Sequence, residues 1–306
     1  MSDHHHHGHA HHHHAVSPEH IFLPGIILNT GFIAIEVLCG LWANSLALLA
    51  DAGHNAGDVL ALFLAWGAAR LSQKTPSARF TYGLQSSSIM ASLANAVLLL
   101  VTVGGIGFEA MRRLGSPEYT SGVAVMLVAL AGVAVNGFTA WQLMKHQGND
   151  LNIRSAYLHM VADAAISLGV FVAGGLVMAT GWGWLDPLVS LAIALFIIRG
   201  AWDLLKSSTT LALHAVPEGI DPAEVRGYLA SQAGVKEVHD LHIWAISTSE
   251  TALSAHLLMP GGHPGDGILQ KITAELAKKF SIHHATLQIE LGDAKEACSL
   301  ASDVVV

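Results

Sequence analysis

The chain has 306 residues, 52% of them hydrophobic and 12% charged, with a mean hydropathy of +0.48 and a formal net charge of −8. Soluble globular proteins carry about 25% charged residues, so the composition argues against a soluble enzyme and against a disordered chain. The charge deficit is uneven: residues 21–211 hold 18 charged side chains, nine of each sign, whereas the shorter segment 212–306 holds 18, twelve acidic and six basic. The first part reads as membrane and the second as a soluble domain, whose acidity disfavours nucleic acid as a partner.

In chain order, the first segment, 1–19, is rich in histidine: ten of the twenty histidines fall within the first 20 residues, and Gly8 and Ala10 interrupt the run. It is read as a disordered, metal-collecting segment, with a purification tag as the plainer alternative. Residues 1–20 hold no apolar run, so no secretory signal peptide is expected. Six apolar stretches follow, at about 20–42, 46–71, 83–113, 120–145, 152–180 and 184–211, each reaching the ~20 residues that a spanning helix needs. Short connections such as Trp42–Ser45 and His146–Asp150 imply antiparallel neighbours in a six-helix transmembrane bundle over 20–211. Arg70, Lys74 and Arg79 in one loop, with Lys145 and Arg154 in another, outvote Arg112 and Arg113 and place both termini in the cytoplasm.

Residues 212–292 are expected to form a small α/β domain and 293–306 a loose tail. Asp221-Pro222 reads as a helix start, with Asp as cap and Pro in the first turn. Strands are expected over 235–246, 251–259 and 285–291, with an amphipathic helix over 266–280. Asp186-Pro187 reads as another helix start. Cys39 and Cys298 form no CxxC motif and imply no disulfide framework.

Ionisable residues inside spans are costly and are therefore candidates for function. The second stretch contains His54 and Asp58, the fifth His159 and Asp163, each pair spaced His-x-x-x-Asp. Residues i and i+4 share one helix face, about 5–6 Å apart, so two such helices supply two nitrogens and two oxygens, a tetrahedral set for Zn²⁺. The alternative for either pair alone is a buried hydrogen-bonded couple. Imidazoles disfavour Mg²⁺ and Ca²⁺ and the absence of thiolate disfavours Cu(I), leaving Zn²⁺, Co²⁺, Cd²⁺ and Ni²⁺. Asp51 is a candidate to orient one of the imidazoles, with a helix-start acid as the alternative. Asn29, Glu36, Asn95, Glu109 and Asn136 are read as interhelical hydrogen-bonding residues, with the lining of an aqueous path as the alternative. In the tail, His239, His256 and Glu290 fall in three strands that a small sheet could bring together.

The run Ser45–Asp58 (SLALLADAGHNAGD) resembles the second transmembrane helix of cation diffusion facilitators, and Leu151–Asp163 their fifth. Arg79–Gly83 is similar to the start of their third helix, and Val238–Trp244 and Thr286–Glu290 to their cytoplasmic domain. The His-Asp/His-Asp pattern looks like the zinc-preferring branch. The resemblance implies a homodimer of six-helix protomers with a ferredoxin-like cytoplasmic domain, exporting a divalent metal across the bacterial inner membrane in exchange for protons. It also implies a cytoplasmic zinc site at His239, His256, His283 and Glu290, to which Cys298 could add a thiolate. Where many relatives carry Trp-His-Arg, this chain has Leu84-Gln85-Ser86, which counts against a further zinc site there. A membrane zinc hydrolase and a membrane-anchored zinc sensor are the competing readings. Two complete ligand pairs leave no open position for water and there is no HExxH motif; one span would suffice as an anchor.

Overall fold

A computed structural model of the chain describes residues 19–116, 118–144, 151–292 and 298. The histidine-rich segment 1–18, the loop 145–150 and the tail other than Cys298 lie outside them. Six long helices come first: α1 (Glu19–Trp42), α2 (Leu46–Ser72), α3 (Ser87–Gly115), α4 (Gly122–Met144), α5 (Leu151–Thr180) and α6 (Leu185–Ala212). Within α3–α6 lie four segments long and apolar enough to cross a bilayer, Ala156–Thr180 being the one in α5. In α2, Asp51, Asp58 and Arg70 interrupt the apolar sequence. The chain is a helical membrane protein with a small α/β domain after the last helix: α7 (Pro222–Ala230), β1 (Glu237–Ala245), β2 (Thr251–Leu258), α8 (Asp266–Phe280) and β3 (Ile282–Glu290).

Two compact units divide the chain. The first comprises 1–56 and 106–193, the second 57–105 and 194–306. In the first unit α4 packs along α5 and also against α1. Glycine permits the close approach of α4 and α5: a Cβ at Gly122 would stand 2.7 Å from the carbonyl oxygen of Gly174. The turn between α1 and α2 has Asn44 in the left-handed region, at φ 55, which Asn tolerates better than most residues. Asp186 does not cap its own helix, as Asp186-Pro187 suggested. It lies within the first turn of α6, and its carboxylate accepts from the Ser45 hydroxyl and, at 2.8 Å, from the backbone N–H of Leu46. It thereby satisfies donors at the start of α2, one of the orphaned groups every helix N-terminus presents.

In the second unit the sheet order is β1-β2-β3, with β1 and β2 antiparallel and β2 and β3 parallel. Helix α8 makes the crossover that a parallel pair requires. Asp221 caps α7 as its sequence suggested, accepting from the N–H of Ala223 at 2.8 Å behind Pro222. Val225 and Leu229 of α7, Ile272 and Leu276 of α8, and Leu253, Leu257 and Ile282 of the sheet form the core. The chain before α3 is a turn rather than helix, with Gly83 at φ 70. The hydroxyls of Ser86 and Ser88 bond the backbone of Ile246 and Thr248.

Candidate metal centres

The first centre lies in the first unit. Helix α2 carries His54 and helix α5 carries His159 and Asp163, one turn apart. Asp163 is buried and presents one oxygen to each imidazole: Oδ1 lies 3.3 Å from His54 Nε2 and Oδ2 lies 3.6 Å from His159 Nε2. The two rings meet edge to face, their centroids 6.0 Å apart. His159 is the more open of the two, its side chain 41% exposed against 13% for His54, so the cluster is open on one side. A carboxylate between two imidazoles from different helices offers nitrogen and oxygen donors to one point, the donor chemistry that Zn²⁺ and its neighbours in the transition series accept. Asp58 lies one turn beyond His54 on α2, on the part of that helix that belongs to the second unit. Asp51 is fully buried and accepts from the Ser167 hydroxyl of α5 at 3.0 Å.

The second centre lies on the sheet. His239 and His256 are directly opposed across the antiparallel pair, their centroids 5.3 Å apart. On β3 the partner of His256 is Gln288, so Glu290, two residues on, projects from the same face. Its carboxylate reaches both rings, 3.2 Å from His239 Nε2 and 3.0 Å from His256 Nδ1. Cys298 Sγ lies 3.7 Å from His256 Nδ1. These four residues each offer a ligand atom within 4.8 Å of the others, two nitrogens, an oxygen and a sulfur, a set that suits zinc. Both ring nitrogens of His239 are buried without a well-formed hydrogen bond among the described residues, the short approach of Glu290 being off the donor axis. Burial works to raise the Glu290 carboxyl. Hydrogen bonds from Cys298 and Gln288, together with the facing imidazoles, prevail and hold it below the usual carboxylate range.

His283 stands apart from this cluster. The pairing of β2 with β3 passes from Ile282 to His284 and skips His283, whose Nδ1 lies 3.5 Å from Glu250. Asp240, which the sequence did not single out, stands close instead. The bulge between His239 and His242 puts it at φ 49, and its carboxylate lies 3.5 Å from His256 and 3.0 Å from His242. An Asp in a strand followed by a break in alternation is the only trace of that bulge in the sequence. Also in the second unit, a cavity of about 560 Å³ is lined by Ser88, Ser92 and Asn95 of α3, by Ser72 of α2 and by Ser249 and Glu250 after β1. Its hydroxyls and amide suit water and ions.

Spans with one ligand cluster among them and a second cluster on the sheet define a membrane protein that handles metal cations. Residues 23–211 match the family described as the cation efflux transmembrane domain, and residues 217–291 match the cation efflux protein cytoplasmic domain; the chain belongs to the cation efflux family. It is 34% identical over 275 residues to a Bacillus subtilis protein named cadmium, cobalt and zinc/H(+)-K(+) antiporter, covering 88% of each chain. It is 34% identical over 273 residues to the metal cation efflux system protein CzcD of Cupriavidus metallidurans, covering 89% of this chain and 86% of that one. The zinc transporter ZitB of Escherichia coli is 34% identical over 267 residues, with 86% and 84% covered. The protein is therefore a metal cation efflux transporter of the cation diffusion facilitator type, not an enzyme.

Proposed function

We propose that the protein is a proton-coupled antiporter that exports Zn²⁺ from the cytoplasm, with Co²⁺, Cd²⁺ and Ni²⁺ as competing cargo. His54, Asp58, His159 and Asp163 ligate the ion in transit. The observation that carries this reading is the Asp163 carboxylate shared between His54 and His159. A cation there competes with protons for the same groups, because a metal binds imidazoles only when they are neutral and carboxylates only when ionised. An imidazole titrates near pH 6.5, so a site open to the cytoplasm takes metal and one open to a more acidic exterior takes protons. Exchange of one for the other is antiport. Relatives named as zinc transporters and as a zinc/H(+)-K(+) antiporter support the assignment of cargo and counter-ion.

The transport part covers 20–211 and the cytoplasmic domain 212–292, with both termini in the cytoplasm, the protein in the inner membrane of a bacterium, and the homodimer as the working form. His239, His256 and Glu290, joined by the Cys298 thiolate, hold a resident Zn²⁺ that stabilises the cytoplasmic domain. Protein reconstituted in liposomes should accumulate zinc along an imposed pH gradient, and Asp163→Ala or His159→Ala should abolish most of that flux while the protein still expresses and inserts. Normal transport by both variants would refute the site.

A further inference from the structure

The serine-rich cavity of the second unit has a polarity of its own. On one wall Ala61, Ala65 and Ala69 recur along a single face of α2 and leave space; on the other, Ser88, Ser92 and Asn95 recur along a face of α3. The N–H of Thr248 bonds the Ser88 hydroxyl, so the turn that carries Ser249 and Glu250 stands at the end away from Asn95. All of these residues belong to the second unit. The wall accepts hydrogen bonds. The Ser88 proton is spent on the carbonyl of Gln85 at 3.0 Å, and the Ser72 proton on that of Ala69 at 2.9 Å, which leaves their lone pairs for the cavity. Asn95 is 6% exposed, and its Oδ1 is buried without a donor among the described residues. A buried acceptor in that state is costly, and the space beside it is where a donor can stand. Glu250 adds a carboxylate, and no lysine or arginine lines the cavity among the described residues.

Acceptors around a single negative charge disfavour an anion and suit a cation whose bound waters point their hydrogens outward. No histidine or cysteine lines the cavity among the described residues, so it lacks the nitrogen and sulfur donors that strip water from Zn²⁺ and its neighbours. An ion with about six waters needs roughly 200 Å³ at about 30 Å³ per water, and the cavity offers about 560 Å³. Its depth is set one turn on. Asp58 lies one turn beyond Ala61 on α2, and Leu99 one turn beyond Asn95 on α3. Leu99 packs so closely on Gly57 that a Cβ there would stand 2.7 Å from its Cδ1. The lining therefore stops one turn short of Asp58. We propose that this cavity is a loading chamber that holds the transported dication in its hydrated form, through Asn95, the seryl hydroxyls and Glu250, before its water is exchanged for protein ligands. This deepens the transport reading above and rests on it. Contacts through retained water are readily made and broken, so the chamber raises the local supply of cargo and leaves tight ligation to the residues beyond.

The test uses hexaamminecobalt(III), a cation of hydrated-ion size whose ammonia ligands donate hydrogen bonds as bound water does but are not exchanged. Zinc uptake is measured in everted membrane vesicles carrying the full-length protein. The complex should inhibit uptake in competition with zinc and should not itself be transported. Asn95→Leu, which keeps the bulk and removes the acceptor, should weaken that inhibition by about fivefold. It should also raise the KM for zinc more than it lowers the maximal rate. Glu250→Gln should weaken the inhibition as well, and Asn95→Asp, which adds charge at the same size, should strengthen it. Equal weakening by Leu and Asp at position 95 would overturn the inference in favour of a packing role. No inhibition by the complex, or inhibition unchanged in Asn95→Leu and Glu250→Gln, with His159→Ala inactive, would overturn this inference alone. Normal transport by His159→Ala would overturn it together with the metal site on which it rests.

Discussion

Asp163 gives one oxygen to His54 and the other to His159, so the donor character of the first centre depends on what stands opposite it. His54 supplies a borderline nitrogen that Mn²⁺ needs less than Zn²⁺ does. His54→Asp should therefore broaden transport toward Cd²⁺ and Mn²⁺, read as the ratio of fluxes in liposomes offered one ion at a time; an unchanged ratio would refute it. On the sheet, Glu290 joins both imidazoles and the thiol, and its carboxyl sits below the usual range. A carboxyl so depressed contributes stability above its unfolded value near pH 4.3 and loses it as pH falls through the folded value. Zinc adds to this by mass action, because it binds the folded form. Glu290→Gln should shrink the rise in Tm that added zinc produces in the full-length protein, most clearly near neutral pH. The approach of His159 to Asp163 was legible because an i, i+4 spacing on a helix fixes a shared face without any tertiary knowledge. The bond from Asn55 to Glu36 was not, since it depends on how α1 and α2 are rotated against each other. His283 entered through the family resemblance rather than through spacing, and in the structure the β2–β3 register passes it by and its ring lies near Glu250.

Among the elements, the boundaries of α8 and the N-terminus of α7 followed from the sequence, because periodicity and an Asp-Pro cap are local signals. The start of α3 did not. The apolar run begins at Gly83, but that residue's positive φ and the seryl hydroxyls spent on Ile246 and Thr248 delay the helix to Ser87. Asp186 shows the same limit: a cap is recognisable in sequence, but not which helix it caps. The α4–α5 contact is the most constrained in the first unit, since a side chain at Gly122 meets backbone rather than a movable group. Gly122→Ala should force the helices apart and destabilise the protein by about 1–3 kcal/mol, seen as a lower Tm in detergent. A Tm equal to that of the unsubstituted protein would show that the helices can separate freely.

For the whole molecule, the expected orientation rests on the distribution of basic residues, and the two that count against it, Arg112 and Arg113, are engaged by protein groups. Both are bound by Glu109 and Glu118, and Arg113 also donates to the carbonyl of Asn44. Asn44 in turn holds Glu118, whose carboxyl is kept below its usual range first by that amide and then by Arg112. Arg70, Lys74 and Arg79 are exposed and remain available to anionic headgroups. If both termini are cytoplasmic as expected, the histidines of residues 4–14 would concentrate zinc at that side without forming part of the path. Deleting 4–14 should raise the KM for zinc modestly and leave the maximal rate nearly unchanged; complete loss of flux would contradict that role.

The clasp between Asp186 and the start of α2 bears on movement. A transporter that opens alternately to two sides must tilt some helices, and a tilt needs a fulcrum. One carboxylate gripping both the hydroxyl of Ser45 and the amide of Leu46 makes the α2–α6 junction a poor place to slide and a good place to pivot. A disulfide introduced there, by Ser45→Cys and Asp186→Cys in a background without Cys39 and Cys298, should leave zinc flux largely intact when oxidised. Arrest of flux on oxidation, reversed by reductant, would mean that this end of the helix pair travels.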